Sequence, residues 1–170
     1  SNGGYSMVLS TTAANAAYNT EFGATAMYPQ APTSTTFALR NSSATSPNAN
    51  YIGYCWHGVE GFSKFGSYTG NGNTNGTFIY TGFVPRFLIM KRISSSGGWF
   101  ILDTARQIFN PNGSYLEAQT SSAEDNQNST IFTDFLSNGF KIRGTSSGIN
   151  TSSQTYIYMS FAEHPFIGDG

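Results

Sequence analysis

Charge is what this chain has least of. Only 10% of its 170 residues are Asp, Glu, Lys or Arg, against about a quarter in an average domain. The net charge is −1, with no basic run and no acidic tail. That balance argues against an electrostatic grip on nucleic acid or insertion into an anionic membrane. Cysteine is nearly missing too. Cys55 is the sole thiol, so no disulfide forms within the chain. Its place in an aromatic run reads as a small packed strand residue rather than a nucleophile. Histidine is limited to His57 and His164, and no serine or acid stands out beside either to build a triad. No Cys-x-x-Cys or His-x-x-x-His spacing offers a zinc site. No apolar run approaches the roughly 20 residues of a membrane-spanning helix. Neither a signal-peptide pattern nor an initiator Met is present, and the chain reads as a processed or truncated piece of a longer polypeptide. Helix signals are scarce: the best stretch, 11–19, holds Ala13, Ala14, Ala16 and Ala17 but no amphipathic face. These absences leave no catalytic residue, metal ligand or cofactor site to name, and the chain is not expected to be an enzyme.

Aromatics are plentiful at 15%, which supplies core material and argues against wholesale disorder. Solubility falls to Ser, Thr, Asn and Gly. Two stretches repeat one another. Phe37-Ala38-Leu39-Arg40, a polar loop of 10 residues and Tyr51-Ile52-Gly53-Tyr54-Cys55-Trp56 return as Phe140-Lys141-Ile142-Arg143, a 12-residue loop and Tyr156-Ile157-Tyr158-Met159-Ser160-Phe161. The offsets are 103 and 105 residues, the length of a small domain rather than of a solenoid repeat. Alternation assigns Ile157, Met159 and Phe161 to the apolar face, with Ile52, Tyr54 and Trp56 matching them in the first copy.

Between the copies, strands are expected at 62–68 and 77–81, joined by a hairpin end at Gly70-Asn71-Gly72-Asn73-Thr74-Asn75-Gly76. Phe87 to Met90 and Trp99 to Leu102 are short apolar runs suited to central strands, with Ser94 to Gly98 as their hairpin loop. Pro85 falls at a strand start, where its missing N–H does least harm. The stretch 110–130 is polar, and Ser137-Asn138-Gly139 reads as a turn between strands. The fold class that follows is all-β: an antiparallel sandwich of jelly-roll or lectin-like type. Residues 58–170 form one full module; residues 1–57 form the second half of a similar one. A half-module leaves an open edge, so a neighbouring chain or upstream sequence is expected to complete it.

The junction Cys55-Trp56-His57-Gly58-Val59-Glu60-Gly61-Phe62-Ser63-Lys64-Phe65-Gly66-Ser67-Tyr68-Thr69-Gly70-Asn71-Gly72 carries a resemblance. So do Phe78 to Arg92, Trp99 to Asp103, Asp134 to Arg143 and Tyr156 to Glu163. Over roughly residues 50–167 the chain resembles virion structural proteins of tailed marine bacteriophages, tail-fibre-like polypeptides with tandem β-modules. The resemblance implies a structural or host-contact role on the virion surface and brings no catalytic residues.

Three further motifs are weighed against plainer readings. Gly70-x-Gly72-x-x-x-Gly76 has neither the spacing nor the Lys of a phosphate loop. Glu124-Asp125-Asn126-Gln127-Asn128 lacks EF-hand alternation and reads as a solvated loop. The Asn-x-Ser/Thr triplets at Asn41, Asn75, Asn112, Asn128 and Asn150 are what such a composition produces by chance. Surface recognition through Tyr, Trp, Asn and Ser at the loop tips, rigid aromatics with adaptable hydrogen bonding, is what remains. The candidate recognition residues are Asn71, Asn73, Asn75, Asn126, Asn128 and Asn150. The expected function is a tail-fibre or appendage segment, a homo-oligomer expected to be trimeric, touching other virion proteins and host-surface glycans. The alternatives are a capsid decoration protein or a secreted lectin-like adhesin.

Overall fold

The computed structural model describes residues 50–126 and 130–163, with Tyr5–Ser6, Ala16–Ala17, Thr33 and residues 35–36. Eleven strands follow in chain order: β1 Tyr5–Ser6, β2 Ala16–Ala17, β3 Ser63–Thr69, β4 Phe78–Tyr80, β5 Pro85–Arg92, β6 Trp99–Asp103, β7 Ser114–Glu117, β8 Asp125–Asn126, β9 Thr133–Leu136, β10 Gly139–Ile142 and β11 Thr155–Ala162. No helix occurs among the described residues. β1 and β2 pair with each other, so the alanine-rich stretch contributes a strand. The other nine form two antiparallel sheets, ordered β3-β11-β5-β6-β7-β8 and β4-β10-β9. The chain is all-β and sandwich-like, as its turn chemistry predicts.

The two sheets meet over one core. Tyr68, Leu88, Met90, Phe100, Leu102, Tyr156 and Tyr158 come from the larger sheet; Ile79, Phe135, Phe140 and Ile142 come from the smaller. Phe140 is fully enclosed and meets Tyr158 edge-on at 5.2 Å between centroids, the geometry that a ring quadrupole favours. β5 and β6 are central apolar strands, joined by the expected hairpin. Lys91 Nζ donates to the Gly97 carbonyl at 2.6 Å across that loop. Pro85 opens β5, and β9 turns directly into β10.

Several expectations are overturned. On β11 the enclosed residues are Tyr156, Tyr158 and Ser160, not Ile157, Met159 and Phe161. Both faces are apolar, so alternation offered little contrast. Tyrosine fills more of the gap, and Tyr156 finds partners for its hydroxyl: it donates to the Ser147 carbonyl at 2.9 Å and accepts from Thr151 N–H at 2.8 Å. The other face joins an aromatic group in which Phe161 contacts Phe62, Phe65 and Phe87. Loop 70–76 is not a hairpin end. β3 pairs with β11 and β4 with β10, so this loop crosses between sheets. Residues 51–58 form no strand and are exposed throughout. Cys55 is therefore an exposed free thiol, not packed strand interior, because no neighbouring strand among the described residues lies over it. β7 went unforeseen within the polar stretch, since its four residues Ser-Tyr-Leu-Glu give too short a pattern. The copied strand at 37–40 lies outside the described residues, as does His164.

Candidate recognition loops

Loop 70–77 and loop 143–154 meet where β3 passes to β4 and β10 passes to β11. Loop 70–77 carries no charged residue, and loop 143–154 carries one, Arg143, which pairs with Asp134 at 3.4 Å. Their organiser is Asn150, fully buried although it sits in a polar loop. Its Oδ1 accepts from Asn71 N–H at 2.9 Å. Its Nδ2 donates to the Asn73 carbonyl at 2.8 Å and to the Gly144 carbonyl at 2.9 Å. Its own carbonyl accepts from Gly72 N–H at 2.8 Å. One side chain thus satisfies backbone groups on both loops that secondary structure leaves unpaired.

The core holds this arrangement from below. Tyr68 stacks on Tyr156 at 5.0 Å and donates to the Ile149 carbonyl at 2.8 Å. Burial, and then the neighbouring Tyr156, hold the Tyr68 hydroxyl well above its ordinary titration range, so it remains a neutral donor. Burial also raises Tyr158. Glycine is required in two places. A Cβ on Gly70 would stand 2.4 Å from the Thr151 carbonyl oxygen, and Gly72 adopts φ +69°, where L side chains are strained.

The outer loop is an asparagine ladder. Asn71 Oδ1 accepts from Asn73 N–H at 3.0 Å and Asn73 Oδ1 from Asn75 N–H at 2.8 Å, while Asn71 Nδ2 donates to the Asn75 carbonyl at 2.9 Å. These are Asx turns in series, which fix the backbone without charge. Residues 71–75 are all exposed. Asn73 Nδ2, the Thr74 hydroxyl and the Asn75 amide have no protein partner among the described residues and face solvent. The result is a rigid, neutral surface of donors and acceptors.

Of the six candidate residues, the structure gathers Asn71, Asn73, Asn75 and Asn150. Asn150 is not on the surface as expected; it positions the others. The missed signal was Ile149, an apolar residue in a polar loop, which is fully buried and turns Asn150 inward. Asn126 lies on β8, at the opposite edge of the larger sheet from β3, five strand spacings or about 24 Å away. Asn128 lies outside the described residues. His57 is exposed, its Nδ1 3.0 Å from the Gly58 carbonyl oxygen. Among the described residues, no three His, Cys, Asp or Glu side chains gather to hold a metal. No helix there is long and apolar enough to cross a membrane.

Sequence reasoning also missed two asparagines that close a sheet edge. Asn110 brackets β9, accepting from Phe135 N–H at 2.9 Å and donating to its carbonyl at 2.8 Å. Asn112 exchanges backbone bonds with Thr133. No curated protein matches the chain, and no solved structure does. Residues 2–165 match the model of a domain of unknown function, DUF7483, and the chain belongs to that family.

Proposed function

We propose that the chain is a structural protein of a phage virion, a tail-fibre or appendage segment that assembles with copies of itself and presents loop 70–77 to neutral glycans of the host surface. One observation carries the reading: the uncharged asparagine loop is held rigid by a buried amide and still turns Asn73, Thr74 and Asn75 to solvent. Sugar hydroxyls suit such a surface, because both sides offer donors and acceptors without ionic desolvation. The loop conformation exists before binding, so little ordering entropy opposes capture. Individually weak contacts become firm attachment when several identical chains present them together. The resemblance to phage virion proteins supports the setting.

Mass photometry of the isolated chain, followed by incubation with assembled particles, tests the assembly. A stable trimer in isolation fits a fibre segment. A monomer that binds only completed capsids would replace this reading with that of a decoration protein.

A further inference from the structure

The exposed apolar surface is unevenly distributed. Tyr51, Ile52, Tyr54 and Trp56 on one segment, with Phe78, Tyr80 and Val84 around β4, make up seven of the eleven exposed large hydrophobic residues among those described. The first segment has a strand's residue pattern but pairs with no sheet among the described residues. Its exposure runs from 50% at Tyr51 to 81% at Ile52. Tyr54 and Trp56 stack with centroids 6.1 Å apart and planes at 22°. Stacking between residues i and i+2 requires both on one side of an extended backbone, as in a β-strand. Its sequence also follows β11, the strand that holds β3 to β5.

β4 is the complementary feature. Ile142 N–H donates to the Thr77 carbonyl and Thr81 N–H to the Asn138 carbonyl, and Ile79 faces Phe140 in register. By the alternation of an antiparallel ladder, Phe78 and Tyr80 turn their N–H and C=O groups away from β10. Those groups have no partner among the described residues. Their side chains stay out in solvent, 44% exposed for Phe78 and 59% for Tyr80. The other well-defined edges are managed differently. β9 is bracketed by Asn110 and Asn112. On β3, Val59 already pairs with Ser63, and Thr77 Oγ1 caps the Thr69 carbonyl at 2.7 Å. An open edge bearing aromatics is a template for strand addition.

We propose that residues 51–56 of one copy add to β4 of a second copy, extending the smaller sheet to four strands. The inference rests on the reading of the chain as a self-assembling segment and supplies its joint. No like charges face each other, since 50–56 and 69–85 contain no Asp, Glu, Lys or Arg; one cation, Lys64 Nζ, lies over the Tyr80 ring at 5.0 Å and leaves the segment 50–56 without an opposing charge. Aromatic pairs across the new strands add to the backbone bonds. Donor and acceptor are different surfaces of one chain, so the contact is heterologous: it closes into a ring such as a trimer or runs on as a filament.

Site-directed crosslinking of the full chain tests this. In a Cys55→Ser background, one preparation carries Tyr54→Cys and the other Tyr80→Cys. Mixing and mild oxidation are expected to give a disulfide-linked pair of the two chains, with none when the second carries Ser122→Cys on the exposed loop before β8, which lies in the other sheet. Light scattering on Tyr54→Pro should show self-association weakened by about tenfold or more through the lost N–H and extended pairing. Its unfolding midpoint as a monomer should be unchanged, because the segment is unpaired there. A wild type that stays monomeric at its highest soluble concentration overturns the proposal. So does undiminished assembly of Tyr54→Pro, or a 54–80 disulfide no more frequent than the link to the control cysteine. Strand-dependent assembly without glycan binding supports this joint and removes only the host-attachment role. Glycan binding by a persistent monomer does the reverse.

Discussion

Replacing Asn150 by Ala removes one acceptor and two donors at a stroke. The Gly144 carbonyl is left in a buried position, while Asn71 N–H and the Asn73 carbonyl lie in an exposed loop that water reaches. A buried unpaired group costs about 1–3 kcal/mol, and each of the two hydrated ones about 0.5–1 kcal/mol, for a total of about 2–5 kcal/mol. In a β-module of this size that lowers Tm by roughly 10 °C. Urea unfolding should show the midpoint fall at constant m-value, and amide exchange should quicken across residues 70–77. Asn75→Ala, which removes only an exposed side chain, should stay within about 0.5 kcal/mol of wild type. Asn150→Asp separates the donors from the acceptor. Its carboxylate would face two carbonyl oxygens, so the folded state favours the protonated acid and raises its pKa above the unfolded value of about 3.9. Stability of this variant relative to wild type is therefore best below that pH and falls as pH rises through the folded pKa. An Asn150→Ala chain as stable as Asn75→Ala would refute the idea that one buried amide holds both loops.

Three further outcomes follow from the same geometry. Tyr68 and Tyr158 titrate higher folded than unfolded, so their contribution is intact below about pH 10 and is lost as pH rises, at up to about 1.4 kcal/mol per unit for each; a denaturation series to high pH reads this, and Tyr68→Phe should flatten the slope. Phe140→Ala, at the fully enclosed centre of the core, should cost about 3–5 kcal/mol in chemical denaturation. Asn110→Ala unpairs both backbone groups of Phe135, which should cost about 1–3 kcal/mol in the same assay and speed amide exchange along β9.

Much of the fold was legible because turn chemistry and apolar runs agree. Ser137-Asn138-Gly139, Ser94 to Gly98 and Pro85 all fall where local rules put them. Pairing across the chain was less legible. Loop 70–77 looks like a hairpin end until β11 and β10 claim its two flanking strands, and nothing local encodes that. The face of β11 was misjudged because Ile, Met and Phe oppose two tyrosines, and the decision lay with hydroxyl partners on a distant loop. Residues 51–56 carry a strand pattern but have no strand neighbour among the described residues, so pattern alone does not make them a strand. The candidate loops were found by composition. Composition did not distinguish Asn150, buried and positioning, from Asn73 and Asn75, which face outward. That difference came from Ile149.

Recognition by loop 70–77 is tested by binding of the assembled chain to a panel of immobilised neutral and charged glycans at low and high salt. Capture of a neutral glycan is expected, unchanged by salt because loop 70–77 carries no charge. Capture should be lost in Asn73→Ala/Asn75→Ala, while stability falls by only about 0.5–1 kcal/mol for the lost Asn73–Asn75 bond. Binding confined to charged glycans and abolished by salt, or neutral-glycan binding that survives the double substitution, would contradict it.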